Sequence, residues 1–234
     1  MPWIGVFQQA DSWNNVVDTR ATEMTNIAKV KWSGYILAVQ PRIRLMRSFD
    51  QRQHSYHGYV LRIEGTYGDD SGEFLIAVGK SANEKHQFRV GMKLSGLAMP
   101  VPDQRLEIAG FYKTSSITVS KVAEPRISSS PPFNGVPPNL GTYRNRGHRR
   151  LDPRTYESKC NTCIWGCRMP VEITEDHWNP SRKRYRFETF CYGPKNCSFY
   201  KAGATRKVPG RSGMTWEEED WVDDDATAHR GLDE

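Results

Sequence analysis

The residues with the strongest chemical potential are the five cysteines, all of which fall in one short part of the chain. They are Cys160, Cys163, Cys167, Cys191 and Cys197. A secreted disulfide framework would spread its cysteines through the domain, whereas a cluster of this kind is typical of metal ligation in a reducing compartment. Because Zn²⁺ takes four ligands in structural sites, we expect four of the five thiols to bind one zinc ion.

The stretch between the two cysteine groups predicts a β-hairpin. Residue types alternate over residues 169–174 and again over 185–190, and residues 178–181 contain an Asn-Pro turn signal. Cysteines at the open end of such a hairpin resemble a zinc ribbon, and this resemblance implies a structural zinc site. The chain departs from the common ribbon in its fifth thiol and in the five residues that separate Cys191 from Cys197.

The fifth thiol leaves the ligand set open. A Cys160/Cys163 pair makes Cys167 spare, whereas a Cys163/Cys167 pair makes Cys160 spare. The competing interpretation is a [4Fe-4S] cluster held by these three cysteines and one later cysteine, because iron–sulfur sites also combine close thiolates with a distant one. The spacing differs from the bacterial ferredoxin run, which favours zinc.

Charge is distributed unevenly along this 234-residue chain of net charge +6. Residues 159–213 carry 11 Lys or Arg against 4 Asp or Glu, whereas residues 214–234 carry 1 against 9. A basic region followed by an acidic tail suggests a polyanion partner. Mixed cations and aromatic rings suit single-stranded nucleic acid, in which cations contact phosphates and rings stack on bases. The candidates in this half of the chain are Arg144, Arg146, Arg149, Arg150, Trp178, Arg182, Lys183, Arg184, Arg186 and Tyr192.

Two aromatic residues of the hairpin have a different expected role. Tyr185 and Phe187 alternate with arginines, so we expect them in the small core of the cysteine module. Trp178 and Tyr192 are then the expected stacking residues.

Residues 30–123 predict a small all-β unit ahead of the cysteines. Residues 31–47 form a long strand with one buried face, and four more strands and a short connector at 80–87 follow. The bent first strand with its internal Gly34, the connector and the segment FRVGMKLSG at 88–96 resemble the OB-fold. This resemblance implies a five-stranded Greek-key barrel that binds oligonucleotides or oligosaccharides. A five-stranded SH3-like interaction module also fits the strand count.

On such a barrel, ligand would lie across the first strands. The candidate residues there are Arg42, Arg44, Arg47, Tyr56 and Arg62.

The remaining segments are expected to lie outside the two modules. Residues 1–29 predict a loosely attached lead-in, and residues 124–158, rich in proline, predict a basic linker. Residues 214–234 predict an acidic tail, in which Trp216 and Trp221 anchor to a protein partner or the acids mask the chain's own basic surface.

The whole pattern predicts a mainly β, non-catalytic protein that binds single-stranded DNA or RNA and carries a structural zinc. No phosphate-binding glycine loop, nucleophile elbow or metalloprotease motif is present. The alternatives are a protein-interaction or scaffold subunit and an iron–sulfur accessory protein. The first residues lack the zones of a signal peptide and no apolar run is long enough to cross a bilayer, so we expect a soluble, cytoplasmic protein.

Overall fold

A computed structural model describes residues 28–124, 128–179 and 181–231, so the predicted lead-in at 1–29 lies almost wholly outside the described residues. The described chain is mainly β, as predicted. The strands are β1 (Val30–Arg47), β2 (Arg52–Tyr67), β3 (Asp70–Val78), β4 (Lys93–Pro100), β5 (Phe111–Lys121), β6 (Arg149–Arg150), β7 (Gly166–Thr174), β8 (Lys183–Cys191), β9 (Arg206–Pro209) and β10 (Thr215–Glu218). The α-helices are α1 (Lys80–His86), α2 (Leu140–Arg146), α3 (Pro153–Thr155), which continues into a π-helical turn at Tyr156–Cys160, and α4 (Asp220–Thr227). Among these described helices, none combines the length and the apolar character that crossing a membrane requires.

Strands β1 to β5 curl into a partly closed sheet. β1 pairs with β2 along one edge and with β4 along the other, while β3 contacts β5 through the parallel pair Ile76 and Phe111. The backbones of β1 and β2 approach closely where Gly34 pairs with Gly65. A Cβ atom at Gly34 would lie 2.4 Å from the carbonyl oxygen of Glu64, and one at Gly65 would lie 2.0 Å from that of Ser33. Only glycine fits at these two positions.

The cysteine-bearing hairpin continues the same sheet. The end of β1, at Leu45–Arg47, pairs in parallel with Val171–Ile173 of β7, and β7 pairs with β8 in the predicted hairpin. Buried residues from both parts belong to one apolar core, in which Ile43 and Leu45 of β1 join Phe190 of β8. The predicted boundary between two modules therefore does not coincide with a break in the sheet or in the core.

The predicted linker departs from expectation over residues 128–158. Most of this segment packs on the first lobe, which is formed by β1 to β5, and on the second lobe, which is formed by residues 159–213. Tyr143 of α2 is fully buried and its hydroxyl donates to the carbonyl oxygen of Ile164 at 2.7 Å. Leu151 and Tyr156 are buried beside the cysteines. These apolar residues stand singly among prolines and serines and so form no hydrophobic period in the sequence. Their burial is decided only by packing against residues far away in the chain.

The predicted acidic tail is also part of the fold over residues 214–231. β10 pairs with β9, and α4 follows it. The Arg150 side chain is 1% exposed and its Nε donates to Asp223 at 2.9 Å. Glu218 accepts from buried Arg47 at 3.0 Å and from Arg52 at 3.2 Å. These buried arginines require acidic partners, because an unpaired charge in the interior is very costly.

The buried ion pair of Arg150 can be tested directly. We expect Asp223→Ala to lower the free energy of unfolding by about 3 kcal/mol, the lower end for a broken buried pair, because Asp220 and the carbonyl oxygen of Glu218 still contact Arg150. Exposed Asp224 of the same helix is the matched control. Urea unfolding of Asp223→Ala and Asp224→Ala measures the difference, and equal losses would contradict a structural role for the tail.

Two histidines in ring contact, His54 and His148, predict acid sensitivity. The rings of His54 and His148 lie 4.7 Å apart between the lobes. Burial, with nearby Arg52 and Arg47, lowers the pKa of His54 to about 4, and burial lowers the pKa of His148 well below 6.5. The unfolded chain therefore binds protons first, so stability is complete above about pH 6.5 and falls as the pH drops toward 4. We expect up to about 1.4 kcal/mol per pH unit from each histidine in urea unfolding.

The matched variants are His148→Gln and His229→Gln, since His229 is exposed. The pH slope between 6.5 and 4.5 should become shallower only in His148→Gln, and an unchanged slope would show that buried His148 does not govern this transition.

Candidate nucleic-acid interface and cysteine cluster

A cleft of about 390 Å³ lies on the outer face of the sheet, where both lobes meet. Strands β1 to β3 form its floor, the loop between β4 and β5 forms one wall, and residues around β7 and β8 form the other. The polar and aromatic residues that line it are Gln40, Arg62, Gln104, Arg105, Glu107, Tyr156, Glu157, Arg168 and Phe187. The cleft therefore exists only because the second lobe adds β7 and β8 to the sheet beside β1.

Two arginine–aromatic contacts stand at the wall of the cleft. The Arg168 guanidinium lies 4.8 Å from the ring centre of Phe187, and that of Arg105 lies 4.6 Å from the ring centre of Tyr185. Phe187 is 38% exposed, a large value for an apolar ring in a strand. The Phe187 ring therefore stays partly accessible from the cleft, beside the guanidinium of Arg168.

The expected roles of the hairpin aromatics are reversed. Phe187 lies opposite Pro170 on the outer face of the hairpin, whereas Tyr192 is fully buried against Tyr143, with ring centres 5.3 Å apart. Strand alternation shows which residues share a face but not which face is covered. Trp178, at the hairpin tip, is 84% exposed and does not line the cleft.

The predicted cations of β1 and β2 divide by parity. Arg42, Arg44 and Arg62 lie on the outer face, where Arg42 pairs with Glu107. Arg47 points to the opposite side and is buried. The three outer arginines remain partly exposed and therefore available to a ligand.

On the hairpin, buried glutamates each hold two cations. Glu172 pairs with Arg44 and Lys183, and Glu175 pairs with Arg182 and Arg184. Burial opposes the ionisation of Glu172, yet its two cationic neighbours hold its pKa below the ordinary value. Because each of these glutamates pairs with two cations, the outer surface of the hairpin carries a net positive charge.

Arg186 is also structural, since it pairs with buried Glu188 and donates to the carbonyl oxygen of Lys207 at 2.8 Å.

The predicted basic arm does not form one surface. Arg149 and Arg150 are buried, and Arg149 donates to the carbonyl oxygen of Pro194 at 2.8 Å. Arg146 lies over the ring of Trp165, 4.6 Å from its centre. Exposed Arg144 lies 5.0 Å from the ring centre of half-buried Tyr56, on α2 rather than at the cleft. Arg150 pairs with Asp220 and Asp223, whereas Arg146 and Arg149 donate to main-chain carbonyl oxygens.

The cysteines separate into a group of four and one distant residue. Cys160, Cys163, Cys191 and Cys197 line one small cavity with Trp165 and other aromatic residues, and all are free thiols. Cys167 lies in the main core instead, where its thiol donates to the carbonyl oxygen of Pro41 at 3.5 Å. Its position in β7, one residue after Gly166, turns it away from the cavity.

Burial dominates the chemistry of these thiols. It raises the pKa of Cys160 to about 12 and that of Cys163 to about 11, with the neighbouring cysteines adding to both shifts. Without a cation the thiols of Cys160 and Cys163 are therefore neutral at pH 7. Across residues 28–124, 128–179 and 181–231, no three His, Cys, Asp or Glu side chains already form a metal-binding group.

Several cleft residues escaped the sequence analysis. Arg105 directly follows a predicted turn, Glu107 falls at the start of the predicted fifth strand, and Gln40 and Tyr156 have no motif. Arg168 shares a face with Phe187 and Tyr185 in the hairpin register, which is the one signal that could have identified it.

The chain was compared with protein-family models, with curated proteins and with solved structures, and none of the three comparisons returned a match. The geometry of the cleft and of the cysteine cluster therefore carries the functional argument alone.

Proposed function

We propose that the protein binds single-stranded nucleic acid, DNA or RNA, in the cleft between its lobes and performs no catalysis. The proposal includes an OB-type barrel for residues 30–121. Supporting this are the pairing order β1-β2-β3-β5-β4-β1, the parallel contact of β3 with β5, and the helix α1 between β3 and β4. OB-folds bind oligonucleotides over the sheet face that here forms the cleft floor.

The observation that carries the proposal is the exposed Phe187 ring beside Arg168 and Arg62 in one cleft. A base can stack on the accessible part of the ring, since every base has an apolar face of comparable size. The arginines can then donate to backbone phosphates. Such contacts require an unpaired strand, because bases in a duplex stack on each other.

The surrounding charge is compatible with a polyanion of modest length. The three arginines that line the cleft already pair with carboxylates, Arg62 with Glu73, Arg105 with Asp103 and Arg168 with Glu157, so each ligand phosphate competes with a carboxylate for guanidinium donors. The excess cations of the hairpin extend the positive surface beyond the cleft. We therefore expect few released counterions and a moderate salt dependence.

The test is equilibrium binding of labelled single-stranded and duplex DNA and RNA, measured by fluorescence anisotropy across a salt series. We expect Phe187→Ala to weaken single-strand binding by about 5- to 150-fold, since one stacked base is worth about 1–3 kcal/mol. We expect Arg168→Gln to weaken binding and to reduce the log–log salt slope by about one.

The controls are exposed residues outside the cleft, Arg154→Gln on α3 and Trp178→Ala at the hairpin tip. Both should bind like the parent protein. A loss in Trp178→Ala without a loss in Phe187→Ala would place the interface at the hairpin tip. Equal binding of single strands and duplex by all variants would refute the proposed cleft.

A second candidate function, protein docking through the C-terminal segment, is favoured by a separate observation. Trp216 and Trp221 are 38% and 53% exposed, with ring centres 6.3 Å apart and planes at 90°. They line a cavity of about 410 Å³ with Phe49. The neighbouring side chains of Asp224 and Asp225 are exposed. Two accessible indoles, with Asp50 in the same cavity and exposed Asp224 and Asp225 on the helix that carries Trp221, suit a lysine- or arginine-rich peptide.

This docking can be followed through tryptophan fluorescence. We expect a lysine- and arginine-rich peptide to change the emission in a salt-dependent manner, and we expect Trp216→Ala and Trp221→Ala each to weaken binding by about 10-fold or more. An acidic peptide of equal length is the control. Equal responses to both peptides, or unchanged affinity in both variants, would argue against docking.

A further inference from the structure

The cysteine cluster supports an inference that does not depend on the ligand of the cleft. The cavity lined by Cys160, Cys163, Cys191 and Cys197 holds about 10 Å³, which is the scale of a single small guest. Cys160 and Cys163 share one tight turn, whereas Cys191 ends β8 and Cys197 closes a second turn that follows it. The Cys163 amide donates to the carbonyl oxygen of Cys160 at 3.1 Å, and the Cys197 amide donates to that of Pro194 at 3.3 Å. Two turns that present thiols to one small cavity are the usual architecture of a tetrahedral thiolate site.

The surroundings of the sulfurs also suit bound thiolates. The amide of Gly193 donates to Cys191 Sγ at 3.4 Å. Amide donors of this kind orient sulfur ligands and stabilise their negative charge. The aromatic rings of Trp165, Phe199 and Tyr200 line the same cavity. They would shield a bound ion from water, as expected at a structural site without an open position.

We propose that Cys160, Cys163, Cys191 and Cys197 bind one structural Zn²⁺ ion through four thiolates. Each thiol that ligates the ion loses its proton to solvent, so four protons leave when neutral thiols bind one zinc. Cys167 is not a ligand, because it is fully buried in the main core and does not line the cavity.

The position of Cys167 also weighs against a [4Fe-4S] cluster. That interpretation needs Cys167 beside Cys160 and Cys163, but only the latter two reach the cavity.

The turn from Cys160 to Cys163, called the zinc turn below, also contacts the floor of the cleft. Gln40 Nε2 donates to the carbonyl oxygens of Cys160 at 3.0 Å and Cys163 at 2.9 Å. The Tyr156 hydroxyl donates to Gln40 Oε1 at 2.8 Å. Gln40 and Tyr156 both line the cleft, so an ordered zinc turn would position them. This second role rests on the proposed function.

The metal is tested on the full chain without nucleic acid. We expect one zinc per chain after expression in zinc-supplemented medium, measured by elemental analysis together with iron and acid-labile sulfide. Cobalt substitution should give the intense visible absorption of a tetrahedral thiolate complex. Zinc removal by a strong chelator should lower the thermal unfolding midpoint of the parent protein.

Single-cysteine variants identify the ligands. Cys197→Ala changes the most exposed thiol of the cluster and should lose the cobalt spectrum, whereas Cys167→Ala should keep it in full. If Cys197→Ala does not fold, the parent protein still decides through its zinc content and the coordination number from X-ray absorption. Loss of the metal in Cys167→Ala, stoichiometric iron with sulfide, or a parent protein without zinc or a cobalt spectrum would each overturn the assignment.

The link to the cleft is tested with Gln40→Leu, which removes both donors to the zinc turn. This variant should retain one zinc per chain but bind single-stranded oligonucleotide more weakly than the parent protein. Unchanged affinity in Gln40→Leu would refute the positioning role. Absence of oligonucleotide binding in the zinc-loaded parent protein would instead refute the proposed function and leave the zinc assignment intact.

Discussion

The structure depends on the hydrogen bonding of one long strand, β1, along both of its edges. β2 pairs with one edge over nearly the whole length, while the other edge pairs first with β4 and then with β7. β1 shifts its register against β2 between Ile36 and Ala38 and again between Arg42 and Ile43, in the stretch that separates the residues that pair with β4 from those that pair with β7. Since parity is preserved along each stretch of a strand, β1 carries core residues on one side and cleft residues on the other. The cleft and the common core thus follow from one shared element.

Buried ion pairs are the second constraint. Arg47, Arg150 and Glu188 are almost fully buried, and each has at least one partner of opposite charge. Many cations that the sequence suggests as a polyanion-binding surface therefore neutralise buried carboxylates. The acidic C-terminal segment has the complementary role, because it supplies acids to the interior while leaving two tryptophans exposed. The proposed binding surface is the smaller set of cations and rings that this internal pairing leaves accessible.

The proposed zinc site and the proposed ligand cleft lie on opposite sides of a single hydrogen-bonded side chain, Gln40. A metal crosslink would hold the turns that carry the four cysteines in place against the sheet. In this arrangement the metal performs no chemistry on the ligand. It would supply rigidity to a cleft whose second wall would otherwise rest on short strands and turns.

Local sequence determined the β-rich class, the long first strand, the connector helix and the cysteine hairpin, because alternation, turn residues and cysteine spacing are local signals. It also limited the candidate ligands of the proposed metal to five cysteines. Tertiary structure alone decided that Cys167 is separate from the other four, that Phe187 faces the cleft while Tyr192 is buried, and that residues 128–158 are packed. These outcomes depend on which face of each strand another element covers, and that information resides in contacts between residues far apart in the chain.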